Sequence, residues 1–530
     1  MIAVQKLFFA IIFLSLVSAG CAFGSAANVY ITQSGSPSGN CTANVQTPSF
    51  FNNSANWGTG ANQIGPGTTV LLCGTFTFAA GASGLTVQGN GANTNPILIQ
   101  FDNGATLQAP YFGGTFGTPG GALVLSGVSF ITVDGKSTGV IQNTDNGTSL
   151  GHRNSSTGVY IASVSGVTVQ NLTIKNIYMN AGSTPSANDS NGWNANDIVI
   201  DQGAVSNLVI SGNTLNNAHA AINTDMENYT YSGITISNNT MSDHGWSISL
   251  GAYGNQKVSN ISIYGNYFTN WDNWQFPSGT YHTDGLIAYT DTSAKFPILF
   301  YDNYMDTNLG NGSGTSYITC GQGTACTIFN NVIAADAHTT DPGGLQVCVT
   351  PMWLYQGSGP HYIYNNTFVG PGLTQTDVII DSAAESGSPA PSFKFENNIV
   401  TGFGGLMATY ASNTNDMAAS NNNDFYNMAG TNFASENIGG SGSQLTYAQW
   451  QSRGFDANSV TANPSLTATY TIQSGSAAIG LGANLTQLDI SSLDADKAGV
   501  PRPASGSWDS GAYGLASGIA PPTNLTATVK

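Results

Sequence analysis

Charged residues are scarce in this chain. Asp, Glu, Lys and Arg make up 7% of its 530 residues, against roughly 25% in an average soluble protein. Lys and Glu supply the exposed faces of most long helices, so their scarcity argues against a helical fold. The chain has 11 Lys plus Arg against 28 Asp plus Glu, a net charge of −17. No basic patch of useful size can be assembled, which argues against nucleic acid as a partner.

Cysteine is also scarce, with six residues in the whole chain. That number is too small for a disulfide-dominated scaffold, and no Cys-x-x-Cys spacing indicates a structural zinc site. In an oxidising compartment we expect Cys41 and Cys73 to form a disulfide. Cys320, Cys326 and Cys348 are expected on neighbouring coils, where at most two of them can pair. The sequence does not select which two.

Long hydrophobic runs are absent after the N-terminus. The apolar stretch of residues 7–17 follows Lys6 and is too short to span a bilayer, but it has the form of a secretory signal. We therefore expect residues 1–24 to be a signal peptide and the protein to be exported. The small residues before Cys21 resemble a bacterial lipoprotein signal, in which Cys21 would carry a lipid anchor. Ordinary cleavage nearby is the alternative.

One short repeat is abundant. Residues 209–215 (VISGNTL) return as residues 234–241 (ITISNNTM) and as residues 261–268 (ISIYGNYF). Each copy alternates apolar and polar residues, breaks at Asn, and then resumes with apolar residues. This pattern predicts a strand, a tight turn and a second strand. The last Asn of each copy lies at Asn213, Asn239, Asn266, Asn303, Asn331, Asn366 and Asn398, with spacings from 26 residues (the first pair) to 37 residues (the third pair).

A repeat of this length predicts a solenoid, because a strand–turn–strand unit cannot bury its own apolar side chains and must stack on its neighbours. The predicted fold is all-β, a parallel β-helix over residues 28–515. Residues 28 to about 125 are expected to form the cap and first coils, which cover the terminal strand edges. Segments between 463 and 514 resemble the closing module of exported bacterial β-helix proteins. Residues 516–530 resemble the entry strand of a sandwich domain and are expected to be a linker or the start of a truncated domain.

Titratable side chains cluster when the coils are aligned by the strand that follows the Asn turn. Two histidines and an aspartate each precede such a strand, so we expect them to form a ladder on successive coils that lie roughly 4.8 Å apart. An aspartate and a histidine flank this ladder, and a further aspartate lies one strand along. The predicted catalytic residues, with the ladder named first, are His219, His244, Asp284, Asp243, His282 and Asp225.

These residue types suit several chemistries. A carboxylate beside an imidazole suits general acid–base catalysis, because it fixes the tautomer and holds the imidazole pKa near neutrality. A carboxylate pair, Asp284 with Asp243 or Asp225, suits glycoside hydrolysis. His219, His244 and Asp284 could equally ligate zinc or a similar ion. A structural role competes with all three, because Asp, Asn and His at β-helix turns commonly cap backbone groups. The sequence requires no cofactor.

Aromatic residues crowd the same segments. Flat rings with a polar edge stack well against the apolar faces of sugars, so we expect several of them to bind substrate together with one lysine. The predicted substrate-binding residues are Trp246, Trp271, Trp274, Tyr281 and Lys257. The alternative is that the rings pack inserted segments onto the solenoid wall and that the lysine is a solvated turn residue.

The coil pattern over roughly residues 28–515 resembles the pectin-lyase-like right-handed parallel β-helix superfamily. Residues 244–251 (HGWSISLG) resemble the His-Gly segment of polygalacturonases, and residues 223–225 (NTD) resemble their Asn-Thr-Asp element. No adjacent Asp-Asp pair lies between the two elements, and no Arg-Ile-Lys follows them. The resemblance therefore implies a polysaccharide-active protein without implying polygalacturonase activity. Residues 282–286 (HTDGL) are similar to a His-x-Asp-Gly motif of other bacterial β-helix proteins.

Two functions fit these observations. The first is an exported enzyme that cleaves a polysaccharide, with hydrolysis favoured over elimination because carboxylates and histidines cluster while cations do not. A lyase would need a Lys or Arg base, for which Lys257 is the best placed, and usually a cation such as Ca²⁺. The second is a non-catalytic surface β-helix that binds glycans, since fold alone does not decide function. We expect a monomer that is secreted or held at the outer surface through Cys21.

Overall fold

The computed structural model describes residues 28–146, 154–178, 195–271, 283–290, 296–307, 309, 315–336, 349–355, 357–382, 392–412 and 414–515. The predicted signal peptide with Cys21 and the predicted linker 516–530 lie outside the described residues. The same holds for Cys348, His282, Trp274 and Tyr281. Within the described ranges, no helix is long and apolar enough to cross a membrane.

The described residues form 35 strands, and three strands complete one coil of a right-handed parallel β-helix. Strands at the same place in successive coils stack into three faces, and four long strands turn a corner and belong to two faces. The first face contains β1 (Val29–Ile31), β3 (Thr69–Leu72), β6 (Ile97–Phe101), the first parts of β9 (Ile131–Asn143) and β11 (Ser165–Lys175), β13 (Val205–Ser211), β15 (Thr230–Ser237), β17 (Lys257–Tyr264), β20 (Phe296–Tyr301), β23 (Thr324–Phe329), β26 (His361–Tyr364), β29 (Phe393–Glu396) and β32 (Met417–Asn421), with β2 (Val45–Gln46) paired to β1.

The second face follows the Asn turn. It contains β4 (Thr75–Thr77), β7 (Thr106–Ala109), the second parts of β9 and β11, the first parts of β14 (Thr214–Glu227) and β16 (Thr240–Tyr253), β18 (Tyr267–Thr269), β21 (Tyr304–Thr307), β24 (Val332–Ala335), β27 (Thr367–Val369), β30 (Ile399–Thr401) and β33 (Asp424–Tyr426).

The third face completes each coil. It contains β5 (Leu85–Thr86), β8 (Leu123–Ser126), β10 (Ser156–Ala162), β12 (Ala195–Ile200), the second parts of β14 and β16, β19 (Asp284–Thr290), β22 (Ile318–Cys320), β25 (Met352–Leu354), β28 (Asp377–Asp381), β31 (Gly405–Thr409) and β34 (Ala434–Glu436), to which β35 (Ser443–Leu445) adds an antiparallel strand. Two short α-helices, α1 (Pro48–Phe51) and α2 (Tyr447–Ser452), and two 3₁₀ turns, Ser54–Asn56 and Thr486–Leu488, complete the described elements.

The core is a set of apolar columns inside the coils. Alternate residues of a strand point to opposite sides, so the apolar positions of the repeat all face inward. One column on the first face pairs equivalent residues coil after coil and is fully buried along its whole length. It consists of Ile210, Ile236, Ile263, Phe300, Ile328, Ile363 and Phe395. The repeat seen in the sequence is therefore the inward-facing pattern of the core.

Buried asparagines line the turn between the first and second faces. The backbone N–H and side-chain Nδ2 of each donate to the Oδ1 of the next, as in Asn303 to Asn331 (2.9 and 3.1 Å). Each Nδ2 also donates to a backbone carbonyl of the preceding coil, as Asn331 does to Phe300 (3.0 Å). All members are at most 1% exposed. This asparagine ladder comprises Asn213, Asn239, Asn266, Asn303, Asn331, Asn366, Asn398 and Asn423.

The residue before each ladder asparagine has left-handed backbone geometry, with φ between 51° and 68° from Gly212 to Asn422. Glycine, Asn and Asp tolerate this region best, which explains why the repeat reads Gly-Asn, Asn-Asn or Asp-Asn. The ladder ends at Asp456, whose Oδ1 accepts from Asn423 Nδ2 at 2.9 Å. Trp450 Nε1 and Ser420 Oγ donate to the other oxygen of Asp456, so the last amide is not left unpaired in the core.

The segment after β35 lies along the outside of this turn. Four left-handed asparagines donate from Nδ2 to its backbone carbonyls at 2.8–2.9 Å: Asn330 to Ala495, Asn365 to Asp509, Asn397 to Ala483 and Asn422 to Leu481. Lys497 reaches still further back and donates to the carbonyl of Asp302. Leu485, Leu493 and Trp508 bury Phe329 and Tyr364 of the first face. This returning segment, residues 446–515, therefore contacts coils far from its own position in the chain.

The predicted Cys41–Cys73 disulfide is confirmed. Of the three later cysteines, Cys320 and Cys326 are bonded to each other, which answers the question that the sequence left open. Both sulfur atoms lie in the core, across the short turn from β22 to β23. The first disulfide joins the opening coils, where few neighbouring strands are available to hold the chain.

We expect Asn331→Ala to lower the free energy of unfolding by about 3 kcal/mol or more. The substitution leaves the carbonyls of Phe300 and Phe329 and the N–H of Asn303 buried without their side-chain partner, and each such group costs about 1–3 kcal/mol. Urea unfolding followed by circular dichroism measures the change. The matched control is Asn458→Ala at an exposed turn, which should stay within about 0.5 kcal/mol of the parent. Equal effects of the two substitutions would contradict a structural role for the ladder.

Candidate functional site on the third face

The register of the third face differs from the predicted ladder. His244 pairs with Ala218 rather than with His219, and Asp284 pairs with Trp246 rather than with His244. The prediction that the three titratable residues share one row is therefore wrong.

The physical reason is that the buried core residues fix the register, whereas the predicted ladder was aligned on the residue that precedes each apolar segment. Ile222, Ile248 and Leu286 are fully buried and pair with one another across three coils. His219 lies three residues before Ile222, and His244 lies four residues before Ile248. Asp284 lies two residues before Leu286, so the three side chains occupy different positions relative to the core row. A shift of one residue in a strand moves a side chain to the other side of the sheet.

His244 forms a buried pair with Asp197. Its Nε2 lies 2.8 Å from Oδ2 of Asp197, and neither side chain is exposed. Burial lowers the pKa of His244 to about 3, and the nearby His219 adds to this shift. Burial also raises the pKa of Asp197 well above its usual value. Although the two atoms are at ion-pair distance, burial favours the neutral form, in which Asp197 keeps its proton and donates it to the imidazole.

Three predicted residues meet around Trp246. The His219 ring lies 4.8 Å from the Trp246 ring, in an edge-on arrangement. Asp284 is the register partner of Trp246 and is fully buried, and its Oδ1 accepts from Thr319 of the next coil at 2.8 Å. Trp246 is the partly exposed member of this group.

Asp243 belongs to a second turn, between the second and third faces. It has left-handed backbone geometry (φ 60°), as do the equivalent Asn217 and Asn270. Its Oδ2 accepts from Asn216 Nδ2 at 2.6 Å. These contacts are those of a turn residue that ties one coil to its neighbour, which is the structural alternative weighed from the sequence.

Two predicted substrate-binding residues lie elsewhere. Trp271 is 6% exposed, packs edge-on against Tyr317 at 5.3 Å, and donates from Nε1 to the carbonyl of Asp284. It is a core residue without a ring face available to a sugar, so the prediction of a binding role was wrong. Lys257 is exposed at the start of β17 on the first face, and it is not part of the third-face strands.

Asp225 lies in a partly exposed carboxylate cluster near the end of β14. Asp225 and Glu227 alternate with buried Met226, so both carboxylates are on the outer side of one strand. Residues Ile200 and Thr224 are register partners, which places Asp201 beside Asp225 on the preceding coil. We call Asp201, Asp225 and Glu227 the carboxylate site.

The electrostatics of the carboxylate site favour a proton on Asp225. Burial raises the pKa of Asp225, and the negative charges of Glu227 and Asp201 add to the rise, against a hydrogen bond from Gln202 (3.3 Å) that lowers it. Asp201 is 1% exposed, and its Oδ2 accepts from the hydroxyl of Tyr160 at 2.5 Å and from the N–H of Gly117 at 2.7 Å. Asp201 is thus fixed beneath the site.

Two tyrosines border the carboxylate site on the following coils. The rings of Tyr253 and Tyr289 lie 5.5 Å apart, and their hydroxyls are hydrogen-bonded. A Cβ at Gly251 would lie 3.1 Å from the Tyr289 hydroxyl, so the glycine provides the space in which this hydroxyl approaches Asp225. The result is a partly exposed acidic patch with an aromatic edge.

The described strands of the third face contain no Lys or Arg, although they carry Asp197, Asp225, Glu227, Asp284, Asp377, Asp381 and Glu436. Among the described residues, three metal-ligating side chains come within 4.8 Å of one another at Cys320, Cys326 and His361, where both sulfurs are disulfide-bonded. The carboxylate site and the predicted trio His219, His244 and Asp284 do not form such a group.

The sequence interpretation missed Asp197, Asp201 and Glu227. A signal for Asp201 was present, because the apolar alternation of Ile198 and Ile200 one coil before Ile222 allows the register to be extended backwards. Glu227 could have been found from its spacing of two residues after Asp225. Nothing in the sequence marks Asp197 as a partner of His244, since the two lie 47 residues apart.

No protein-family model matches the sequence, and no curated protein gives a significant match. Among solved structures, the chain is similar to a GH136 lacto-N-biosidase from Eubacterium ramulus (14% identity over 67% of this chain and 65% of that chain, TM-score 0.40). It is also similar to the pectate lyase Pel9A (12% identity, 93% and 98% coverage, TM-score 0.42) and to XylC in complex with xylose (10% identity, 92% and 98% coverage, TM-score 0.46). The match spans slightly less than two thirds of the lacto-N-biosidase. At these identities the likeness concerns the fold alone.

We expect His244→Ala to lower the free energy of unfolding by about 2–4 kcal/mol, because it leaves a cavity and a buried Asp197 without its hydrogen-bond partner. The double variant Asp197→Leu/His244→Met should recover most of this loss, since replacing both members of a buried polar pair by apolar residues is often neutral. Thermal unfolding of the single and double variants measures the coupling. A double variant that is less stable than His244→Ala would argue against a buried neutral pair.

Proposed function

We propose that the protein is an exported carbohydrate-active enzyme that hydrolyses a neutral polysaccharide at the carboxylate site. The observation that carries the proposal is the pairing of Asp225 and Glu227, two partly exposed carboxyl groups on the outer side of one strand, on a face whose described strands lack Lys and Arg. The proposed catalytic residues are Asp225 as general acid and Glu227 as general base.

Asp225 suits the acid role because burial and two neighbouring negative charges raise its pKa, the direction that a general acid requires. Asp201 acts on Asp225 only through its negative charge, so it is a positioning residue in the proposal. Its hydrogen bonds with Tyr160 and Gly117 hold it beneath Asp225.

Glu227 suits the base role because of its distance from Asp225. Residues two apart on a strand are separated by roughly 6.6 Å, within the range of about 6.5–9.5 Å that leaves room for a water in inverting glycosidases. The proposed reaction is therefore hydrolysis with inversion at the anomeric carbon. Tyr253 and Tyr289 would present ring edges and hydroxyls to the sugar beside the acid.

The charge pattern favours a neutral substrate over a uronate. Elimination from a uronate needs a base such as Lys or Arg and a cation that neutralises the substrate carboxylate. The described third-face strands carry carboxylates, which would repel the carboxylates of a uronate substrate. The net charge of −17 adds to this repulsion over the whole surface. A Ca²⁺-dependent lyase is thus the less favoured enzyme.

We expect Asp225→Asn and Glu227→Gln each to lower kcat on a neutral polysaccharide by about 10²-fold or more, the usual contribution of a positioned acid or base. The matched control Asp489→Asn, an exposed left-handed turn residue, should retain full activity. Release of reducing ends over a panel of neutral and uronate polysaccharides measures the effect, and nuclear magnetic resonance of the first product gives its anomeric configuration. Ultraviolet absorbance from unsaturated products would identify a lyase and overturn the proposal. A wild-type protein that binds a glycan and cleaves nothing on the panel would identify a binding protein.

The pH profile tests the acid role of Asp225 separately. A general acid must be protonated, so kcat/KM should fall as pH rises through the pKa of Asp225. Because that pKa is raised, the alkaline limb should lie above the value of about 4 that an ordinary aspartate would give. Asp201→Asn removes a negative neighbour, so it should move this limb to lower pH with the fold intact. An alkaline limb that does not respond to Asp201→Asn would contradict the proposed acid.

A further inference from the structure

A cavity of about 330 Å³ lies at the C-terminal end of the coils, between the segment after β33 and helix α2. Its walls include the rings of Phe425, Phe433 and Tyr447. Their centroids are 4.9 Å (Phe425 to Phe433), 4.8 Å (Phe433 to Tyr447) and 5.9 Å (Phe425 to Tyr447) apart. The volume falls at the lower end of the range of small-molecule sites, about 300–1,000 Å³.

The remaining walls are uncharged and, apart from Met428, formed by polar residues and glycines. Asn427, Thr431, Asn432 and Thr461 line the cavity together with the backbone of two glycines, and no Asp, Glu, Lys, Arg or His is among the lining residues. An aromatic surface with amides and hydroxyls around it matches a ring that has apolar faces and hydroxyls along its edge. A charged ligand would find no counter-charge on these walls.

Two buried polar groups at this place have no hydrogen-bond partner in the described part of the chain. The Tyr447 hydroxyl, on a residue that lines the cavity, is one of them. The second group is the carboxyl group of Asp424, the residue before Phe425, and both of its oxygens lack a partner. Asp424 is fully buried and acts electrostatically on Tyr447, whose pKa is raised by burial and by the charges of Asp456 and Asp424. Unsatisfied buried polar groups are uncommon in folded proteins, and a ligand hydroxyl can both donate and accept.

We propose that this cavity binds one neutral sugar residue, with the Tyr447 hydroxyl bonded to a sugar hydroxyl and the aromatic wall in contact with the apolar side of the sugar. The cavity is separated from the carboxylate site by seven coils, from β14 to β33, or roughly 34 Å at about 4.8 Å per coil. It is therefore a second binding site, and it does not depend on the proposed catalysis.

The test measures binding in the Asp225→Asn variant, so that no substrate is consumed. The probes are methyl β-glucoside, methyl β-galactoside, methyl α-mannoside, xylose and glucuronate, followed by saturation-transfer nuclear magnetic resonance and calorimetry. At least one neutral probe should bind, and glucuronate should bind more weakly. Tyr447→Phe keeps the ring and removes the hydroxyl, so it should weaken binding at least about tenfold. Tyr410→Phe makes the same chemical change away from the cavity and should leave binding unchanged.

Several outcomes would overturn this inference. They are the absence of binding by every neutral probe, stronger binding of glucuronate, and equal affinities of the parent and Tyr447→Phe. If Tyr447→Phe lowers the melting temperature, Thr461→Val at another lining residue provides a second variant, and an unchanged affinity there would also count against the site. Failure of the proposed catalysis would show in the hydrolysis assays and would leave these binding results unaffected.

Discussion

The fold depends on one interaction, the hydrogen bond from the amide of each ladder asparagine to the amide of the next. The bond is buried and repeats from Asn213 to Asn423, so each coil in that span places an Asn at the same corner. A side chain that both donates and accepts can satisfy its own coil and its neighbours at once, which neither Ser nor an apolar residue can do over the same distance. With that corner fixed, the residues next to it on the first and second faces keep the same register from coil to coil.

The sequence allowed the fold to be predicted for this reason. The turn between the first and second faces has a fixed length, so the last Asn of each repeat marks the same structural position, and all seven predicted turn positions belong to the ladder. The carboxylate site could not be predicted in the same way. Ala218 and His244 each lie five residues after their ladder asparagine, so counting from the Asn turn gives the observed pair, and the predicted ladder failed there because it aligned the residues before the apolar segments. At Asp284 the path from the second face to the third is longer, so counting from the Asn turn gives no register for that coil.

Burial also separates residues that composition alone groups together. His244 with Asp197, and Asp225 with Glu227, are both neighbouring titratable pairs in a chain with few titratable groups. The first pair is enclosed and loses its charges, whereas the second keeps partial contact with solvent on the outer side of β14. In a chain with so few charged residues, each carboxyl group is a candidate functional group. The sequence does not show whether that group stabilises the β-helix or contacts a ligand.

The returning segment has a consequence for how such a protein can evolve. Solenoids commonly gain or lose whole repeats, because each repeat contacts only its nearest neighbours. Here one continuous segment is matched to successive corners from Asp302 to Asn422. Duplication or deletion of a coil within that span would misalign the backbone carbonyls of the returning segment with the asparagines that donate to them. We therefore expect the later coils to be inherited as a block of fixed length and changes in repeat number to fall in the coils before Asp302.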